Sequence, residues 1–173
     1  MLDQGEGNVD EMPVALAWDL ESAYNNVSRK LMFANAGHHQ PTTLRFLSLL
    51  YGDVGSLFCV KNGRIIEEIK YNNGVLQGCP LGLVGLCFGM WDLMNNLSLL
   101  TKEADASAVW IADDLTVVVK RQHATKICQW ITEKLPTVNM ALSAGKLQAY
   151  VPRLPDQSFA TPPDTDKLTA ELR

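Results

Sequence analysis

The sequence predicts an α+β fold in which four antiparallel strands and two helices follow the split βαβ (ferredoxin-like) order, with one extra β-hairpin inserted. Three observations support this prediction. A short apolar strand ends at Asp19, Asn62-Gly63 joins two strand-like runs, and Ala112-Asp113-Asp114 joins two more. Helical spacing of apolar residues fills the intervals, so the order is strand, helix, inserted hairpin, long helix, strand-turn-strand, helix, strand.

Each element of the first half has its own signal. Val14 to Trp18 is an apolar run of strand length that ends at Asp19. Two helices are predicted next, Ser22 to Ala36 and Thr42 to Tyr51, and each is followed by a glycine. Strands at Ser56 to Val60 and Arg64 to Tyr71 flank Asn62-Gly63, the strongest short signal for a β-hairpin.

The second half begins with a glycine-bearing turn, Gly74 to Pro80. Pro80 suits the first position of a long, buried apolar helix that extends to about Leu100. The remaining predicted elements are a hairpin of two β-branched runs, a helix that ends at Pro136 and a last strand: Ala108 to Ile111, Leu115 to Val119, His123 to Leu135, and Lys146 to Val151. The sequence thus predicts an acidic leader at 1–13, a folded segment at 14–151 and a Pro-rich tail at 152–173.

Composition limits the classes of protein that fit. The 173 residues carry a net charge of −4, whereas a free-standing nucleic-acid binder usually has a basic face. The four cysteines form no C-x-x-C pair, which argues against a disulfide framework or a zinc site and favours a reducing compartment. We therefore expect an intracellular protein, nuclear or cytoplasmic, without a secretory signal or a membrane span.

Three aspartates are the candidate chemical centre. Asp19 ends the first strand, and Asp113-Asp114 lie at the tip of the central hairpin 94 residues later (113 − 19), where the predicted sheet brings all three together. Two magnesium ions held by carboxylates can align an in-line phosphoryl displacement, so Asp19, Asp113, Asp114 and the carbonyl of Leu20 are predicted metal ligands. Taken alone, an aspartate pair in a turn is more often structural, because aspartate favours turns.

Four segments resemble the palm, the catalytic core, of reverse transcriptases of the non-LTR (LINE-like) retrotransposon type, in that family's order. They are A-W-D-L-E-S-A-Y-N-N-V-S (Ala17 to Ser28), N-G-V-L-Q-G-C-P-L-G (Asn73 to Gly82), I-A-D-D-L (Ile111 to Leu115) and A-G-K-L-Q (Ala144 to Gln148). The second segment is fairly specific, and the third and fourth are weak alone. The resemblance spans Val14 to Val151.

The resemblance implies an RNA-directed DNA polymerase that transfers a nucleotide from dNTP to a primer 3′-hydroxyl with two Mg²⁺ ions, or Mn²⁺. Its partners would be an RNA template, a DNA primer and dNTP. Asp19, Asp113 and Asp114 would be catalytic, and Lys146 would assist the leaving pyrophosphate. Tyr24 would exclude a ribose 2′-hydroxyl, while Gln77 and Gly78 would face template and incoming nucleotide. Without that motif, Tyr24 would be a core aromatic and Lys146 a solvated side chain.

The sequence also departs from the family pattern. Ile111 stands where the family usually has Phe or Tyr, and Gly82-Leu83 replaces Ser-Pro. By the resemblance, the chain lacks most of the fingers and thumb, which flanking sequence would supply, so it is expected to be a fragment. Two alternatives stay open: a catalytically silent palm remnant with a binding or structural role, and another magnesium phosphotransferase such as a nuclease or nucleotide cyclase.

Overall fold

The structure is a computed structural model that describes residues 9–143, 146–152 and 170. It is a mixed α+β fold with antiparallel sheets, as predicted. Most of the predicted leader, most of the predicted tail, and Ala144-Gly145 of the fourth motif lie outside the described residues. The predicted boundaries of leader, folded segment and tail stay predictions.

The elements follow one another in an order close to the predicted one. The first six are β1 (Pro13–Asp19), α1 (Ala23–Asn26), α2 (Arg29–His39), α3 (Pro41–Tyr51), β2 (Gly55–Lys61) and β3 (Arg64–Tyr71). The next six are α4 (Gly82–Gly89), α5 (Trp91–Glu103), β4 (Ser107–Ile111), β5 (Asp114–Lys120), α6 (Arg121–Lys134) and β6 (Gln148–Tyr150). Short 3₁₀ turns at Val9–Glu11 and Leu135–Val138 complete the set.

The chain divides into two compact units. The first, called the sheet unit here, comprises Met1–Glu21, Leu93–Pro136 and Ala141–Arg173. The second, called the helical unit, comprises Ser22–Asp92 and Thr137–Met140. All the predicted carboxylates belong to the sheet unit, whereas Tyr24, Gln77 and Gly78 belong to the helical unit.

A four-stranded antiparallel sheet with the order β4-β5-β1-β6 forms the centre of the sheet unit. Successive side chains of a strand point to opposite faces, so alternate residues of β1 and β5 face the core. These core residues are fully or almost fully buried: Val14, Leu16, Trp18, Leu115, Val117 and Val119. Helix α6 packs on the same strands through Ala124, Ile127, Cys128 and Ile131, at the i, i+3, i+4 spacing of an amphipathic helix.

In the helical unit, helix α2 packs against α3 and α4. The buried side chains that join them are Met32, Ala36, Leu47, Leu86 and Phe88. The close approach depends on glycine, because a Cβ atom at Gly89 would lie 2.1 Å from Cγ2 of Val27. A side chain at that position would therefore push the elements apart.

The inserted hairpin is confirmed. Strands β2 and β3 pair in an antiparallel two-stranded sheet, with a register irregularity between Cys59 and Val60. Asn62 and Gly63, at the turn, have φ values of 51° and 72°. These positive φ values are the ones that make Asn-Gly favourable in a two-residue hairpin turn.

Two predicted helices are wrong in extent. The segment predicted as one helix from Ser22 forms α1 and α2, because Val27 is extended and the Ser28 side chain accepts a hydrogen bond from Leu31 N. Gly37 lies inside α2 rather than after it. The long apolar helix begins at Gly82 instead of Pro80 and is broken at Met90 into α4 and α5.

Within the described residues no single helix is long and apolar enough to cross a membrane; α4 and α5 meet that standard only as a bent pair.

Candidate active site

The strand ends bring the predicted carboxylates together in the sheet unit. Asp19 and Asp114 are register partners on β1 and β5, and the backbone N–H of Leu20 donates to the carbonyl oxygen of Asp113 at 3.3 Å. Side chains of paired residues in an antiparallel sheet lie on the same face, a few ångströms apart. The carboxylates of Asp19 and Asp114 therefore share one face, with Asp113 in the adjoining turn.

The turn that carries Asp113 is strained. Ala112 has a φ of 56°, in the left-handed region that residues with a Cβ rarely adopt. That conformation costs about 1–2 kcal/mol for an ordinary L-residue. Strained backbone of this kind persists where the surrounding structure holds it, and it is frequent at functional sites.

A backbone bridge anchors the end of β1. The N–H of Glu21 donates to the Ala141 carbonyl and the N–H of Ser143 donates to the Asp19 carbonyl, both at 2.9 Å, around the isolated bridge between Leu20 and Leu142. Neither bond uses the Leu20 carbonyl oxygen. The bridge holds the backbone of Asp19 on the side of β1 opposite to β5. The carbonyl oxygen of Leu20, a predicted metal ligand, takes no part in it.

Lys146 is the cation of the site. Its ammonium forms an ion pair with Oδ2 of Asp19. The backbone N–H of Lys146 donates to the Ser143 carbonyl at 3.1 Å. The hydrogen bond that Lys146 donates to Asp19 raises the pKa of Lys146, and the charges of Asp19, Asp113 and Asp114 raise it further, opposed by desolvation. All three predicted carboxylates thus act on one ammonium group, a juxtaposition that motif order alone did not specify.

The described residues hold no set of three His, Cys, Asp or Glu side chains arranged to bind a metal ion. Instead, Lys146 supplies the positive charge beside Asp19. The donor chemistry still fits magnesium, because carboxylate oxygens at two neighbouring strand ends are the hard ligands that this ion takes. The magnesium site stays a prediction.

The other predicted site residues lie in the helical unit. Tyr24 is half-buried on α1, and its carbonyl accepts a hydrogen bond from Val75 N at 2.6 Å. The next N–H upstream, that of Gly74, donates to the Val27 carbonyl at 3.0 Å. Gln77 and Gly78 are exposed in the turn that follows. The segment that contains Gln77 is therefore joined by backbone bonds to the segment that contains Tyr24.

Gly74 is required for this junction. Its φ is 68°, and a Cβ atom there would lie 2.2 Å from the carbonyl oxygen of Asn25 and 2.6 Å from that of Tyr24. Both the positive φ and the close backbone approach exclude a side chain. The close approach at Gly74 is between two segments of protein backbone.

Arg29, which the sequence did not single out, organises this region. Its guanidinium donates to the carbonyl oxygens of Gly74 at 2.8 Å and of Tyr51 and Asp53 at 3.1 Å, and it lies over the rings of Tyr51 and Tyr71. Burial lowers the pKa of Arg29, opposed by the neighbouring tyrosines. Burial likewise raises the pKa of Tyr51 to about 12. An arginine at the start of a helix gives no sequence signal for such a role.

Among solved structures, the fold is similar to that of telomerases, a reverse transcriptase family. Telomerase from Candida tropicalis, truncated from its C-terminal domain, has a TM-score of 0.63 at 12% identity over 84% of this chain and 32% of that chain. Telomerase from the same organism in complex with the TWJ fragment of telomeric RNA has a TM-score of 0.65 at 9% identity over 92% and 29%. The corresponding Candida albicans complex has a TM-score of 0.59 at 16% identity over 85% and 28%.

This chain spans less than a third of the length of each of these telomerase chains. At such identities the likeness concerns the fold alone. No protein-family model and no curated protein matches the sequence.

Proposed function

We propose that this chain is the palm of an RNA-directed DNA polymerase, a reverse transcriptase of the LINE-like (non-LTR) type. The observation that carries the proposal is the register pairing of Asp19 with Asp114, with Asp113 adjacent and Lys146 acted on by all three carboxylates. The strand order β4-β5-β1-β6 supports a split βαβ palm, since it is the order that a β-α-β-β-α-β chain gives once β2 and β3 are set aside.

The proposed reaction is attack of a primer 3′-hydroxyl oxygen on the α-phosphorus of dNTP. The hydroxyl gives its proton to water, the new P–O bond forms as the bond to the bridging oxygen breaks, and pyrophosphate leaves. Two magnesium ions would lower the charge on both oxygens and hold them in line. Asp19, Asp113 and Asp114 are the residues that would hold these ions.

Lys146 is the proposed acid. A lysine ammonium is protonated near neutral pH, so it can give a proton to the leaving pyrophosphate or neutralise its charge. In the structure this ammonium is held by Asp19. We expect Lys146 to exchange Asp19 for the phosphates of the nucleotide when the active site fills.

Tyr24, Gln77 and Gly78 are the proposed nucleotide-facing residues. A ring beneath the sugar would leave no space for a 2′-hydroxyl and would select dNTP by steric exclusion. The backbone bond between Tyr24 and Val75 supports this assignment, because it joins the proposed sugar-sensing and template-facing segments. RNA as a partner is supported by the similar Candida telomerases, which were solved with telomeric RNA.

Primer extension on an RNA template, with the longest native reading frame that contains this chain, tests the proposal. We expect Mg²⁺-dependent dNTP incorporation that Asp113→Asn lowers by at least about a hundredfold, as loss of a transition-state charge interaction does. Asp105→Asn is the matched control, since Asp105 is exposed and lies outside the site. Equal extension by the Asp113→Asn and Asp105→Asn proteins would overturn the proposal.

A second candidate is a palm remnant that no longer polymerises and has a binding or structural role. The ion pair between Lys146 and Asp19 and the net charge of −4 favour it. It predicts no Mg²⁺ or Mn²⁺ binding at Asp19, which paramagnetic broadening of the Asp19, Asp113 and Asp114 NMR signals by Mn²⁺ would detect. Magnesium-dependent extension by the 173-residue chain itself would exclude this candidate.

A further inference from the structure

A cleft of about 540 Å³ lies along the β4 edge of the sheet unit, and none of the three aspartates is among the described residues that line it. Helix α5 forms one wall through Asn95, Ser98 and Lys102, and β4 with the residue before it forms the other through Ala106, Ala108 and Trp110. All of these residues belong to the sheet unit. The cleft is therefore bounded by a helix on one side and by the outer strand of a sheet on the other.

The β4 wall presents free backbone hydrogen-bonding groups. β4 is the outer strand of the sheet, paired with β5 alone among the described elements. Ile111 and Asp114 flank a two-residue turn, so they form a hydrogen-bonded pair, and pairing alternates from there along the ladder. Val109 thus bonds inward to β5, while the N–H and C=O groups of Ala108 and Trp110 point away from the sheet.

The side chain of Trp110 also lacks a partner. Its indole nitrogen is buried, and no acceptor lies within hydrogen-bond distance of it in the described chain. A buried N–H without an acceptor is costly, so such groups are rare unless a ligand supplies the missing partner. Trp110 and Ala108 both line the cleft.

The positive charge in the cleft favours a ligand with a negative charge. Lys102 carries the one charge among the described residues that line it, and Asn95 and Ser98 add neutral polar groups beside it. An extended peptide offers a carbonyl and an N–H at every second residue, which is the spacing of the outward groups of β4. A peptide strand with an acidic side chain opposite Lys102 could bond the β4 backbone, accept from the Trp110 indole and pair with the Lys102 ammonium.

We propose that this cleft binds an extended, acidic peptide segment of a partner protein, which adds to β4 as a fifth strand. Main-chain hydrogen bonds to Ala108 and Trp110 provide the affinity, and helix α5 provides the contacts for alternate side chains, a known mode of peptide recognition. On binding, the Trp110 indole turns towards the cleft and donates to the peptide. This surface is independent of the polymerase chemistry.

Hydrogen exchange in the 173-residue chain tests the free edge without any ligand. We expect the amide N–H of Val109 to be protected and those of Ala108 and Trp110 to exchange at least about tenfold faster, because their donors face solvent. Protection of all three amides in the free chain would overturn the proposal. Concentration-dependent protection with dimers in sedimentation velocity would do so as well, since a second copy would then be the occupant.

Binding is tested with a phage-displayed library of random ten-residue peptides. We expect selected peptides to contain an acidic residue, to protect the Ala108 and Trp110 amides, and to change the tryptophan fluorescence. N-methylation of the alternate amides that face β4 should lower the affinity of a selected peptide about tenfold or more, because the methyl groups block strand pairing. Only one of the two alternate sets of amides can face β4, so affinity that is unchanged after N-methylation of each set in turn would overturn the proposal.

Matched variants locate the site. Ala108→Pro removes only an outward N–H, which an edge strand tolerates, and should weaken peptide binding about tenfold. Trp110→Phe keeps the ring bulk without the N–H and should weaken it about threefold or more. Val109→Thr and Trp130→Phe are the controls, since neither side chain lines the cleft. Equal binding by all four variants, with folding verified by circular dichroism, would overturn the proposal.

Discussion

The two units of the chain expose very different amounts of apolar surface. Of the large apolar side chains that are exposed in the described residues, twelve belong to the helical unit and five to the sheet unit. In the sheet unit the burial of β1 and β5 alternates strictly, so their core-facing side chains are enclosed. In the helical unit, α3 and the hairpin β2–β3 expose apolar residues such as Leu49, Phe58 and Ile65.

The difference shows which unit completes its own core. A contiguous exposed apolar surface on a folded protein marks a site where another surface packs. A two-stranded hairpin is at best marginally stable alone, and all of β3 except its last residue is exposed. The carboxylates thus lie in the unit with an enclosed core, while the proposed nucleotide-facing residues lie in the unit with the larger exposed apolar surface.

The largest expected effect is on thiol reactivity in the sheet unit. Burial raises the pKa of Cys128 to about 12, so the reactive thiolate is about a thousandfold scarcer than at a thiol of pKa 9. Alkylation of Cys128 near pH 8 should be slower than that of Cys59 on the hairpin, and unfolding in urea should abolish the difference. Mass spectrometry of the labelled peptides measures both rates; equal rates in the folded chain would contradict an enclosed core.

A pair of leucine substitutions compares the two units directly. Leu16 on β1 is fully buried, whereas Leu49 on α3 is 83% exposed. Leu16→Ala should lower the free energy of unfolding by about 3 kcal/mol, through lost burial and the cavity left behind. Leu49→Ala should change it by less than about 0.5 kcal/mol. Urea denaturation measures both values, and a large loss in the Leu49→Ala protein would show that α3 is covered.

The next largest effect is expected from changing Arg29, the buried arginine of the helical unit. Arg29→Lys keeps the charge but cannot reach the three carbonyl oxygens that Arg29 bonds, so we expect a loss of about 2 kcal/mol. Arg45→Lys, an exposed change on α3, is the control and should be neutral. Equal midpoints in urea for the two proteins would show that the Arg29 contacts add no stability.

The smallest expected effect lies in the hairpin turn. Gly63→Ala places a Cβ on a residue with a φ of 72° and should cost about 1 kcal/mol. Asn62→Gly, at a φ of 51°, should cost less than about 0.5 kcal/mol, because glycine adopts positive φ freely. Hydrogen exchange of the β2 and β3 amides reports the local change. Equal protection in both variants would show that the turn does not determine the stability of the hairpin.

The features that the sequence predicted correctly depend on short local signals. Asn62-Gly63 predicts its hairpin because both residues accept positive φ. The meeting of Asp19 with Asp114 follows from strand order, because an antiparallel β1–β5 pair must bring one end of each strand together. Local pattern and topology were sufficient in these cases.

The features that could not be predicted from the sequence depend on tertiary contacts. The break at Met90 has no proline beside it, so the local pattern gave no boundary there. Arg29 bonds carbonyl oxygens up to 45 residues away, and backbone carbonyls have no sequence signature. The ion pair of Lys146 with Asp19 joins residues 127 positions apart. Such pairings follow from packing, which a single sequence does not encode locally.

The backbone junction at Gly74 and Val75 gives the helical unit a mechanical property. Two N–H groups of this segment are bonded to the carbonyls of Val27 and Tyr24, with no flexible side chain between them. A displacement of the Gln77-Gly78 turn would therefore pull on the residue that carries the Tyr24 ring. Under the proposed polymerase function, a displaced template base at Gln77 and a wrong sugar at Tyr24 would both act on these two backbone hydrogen bonds.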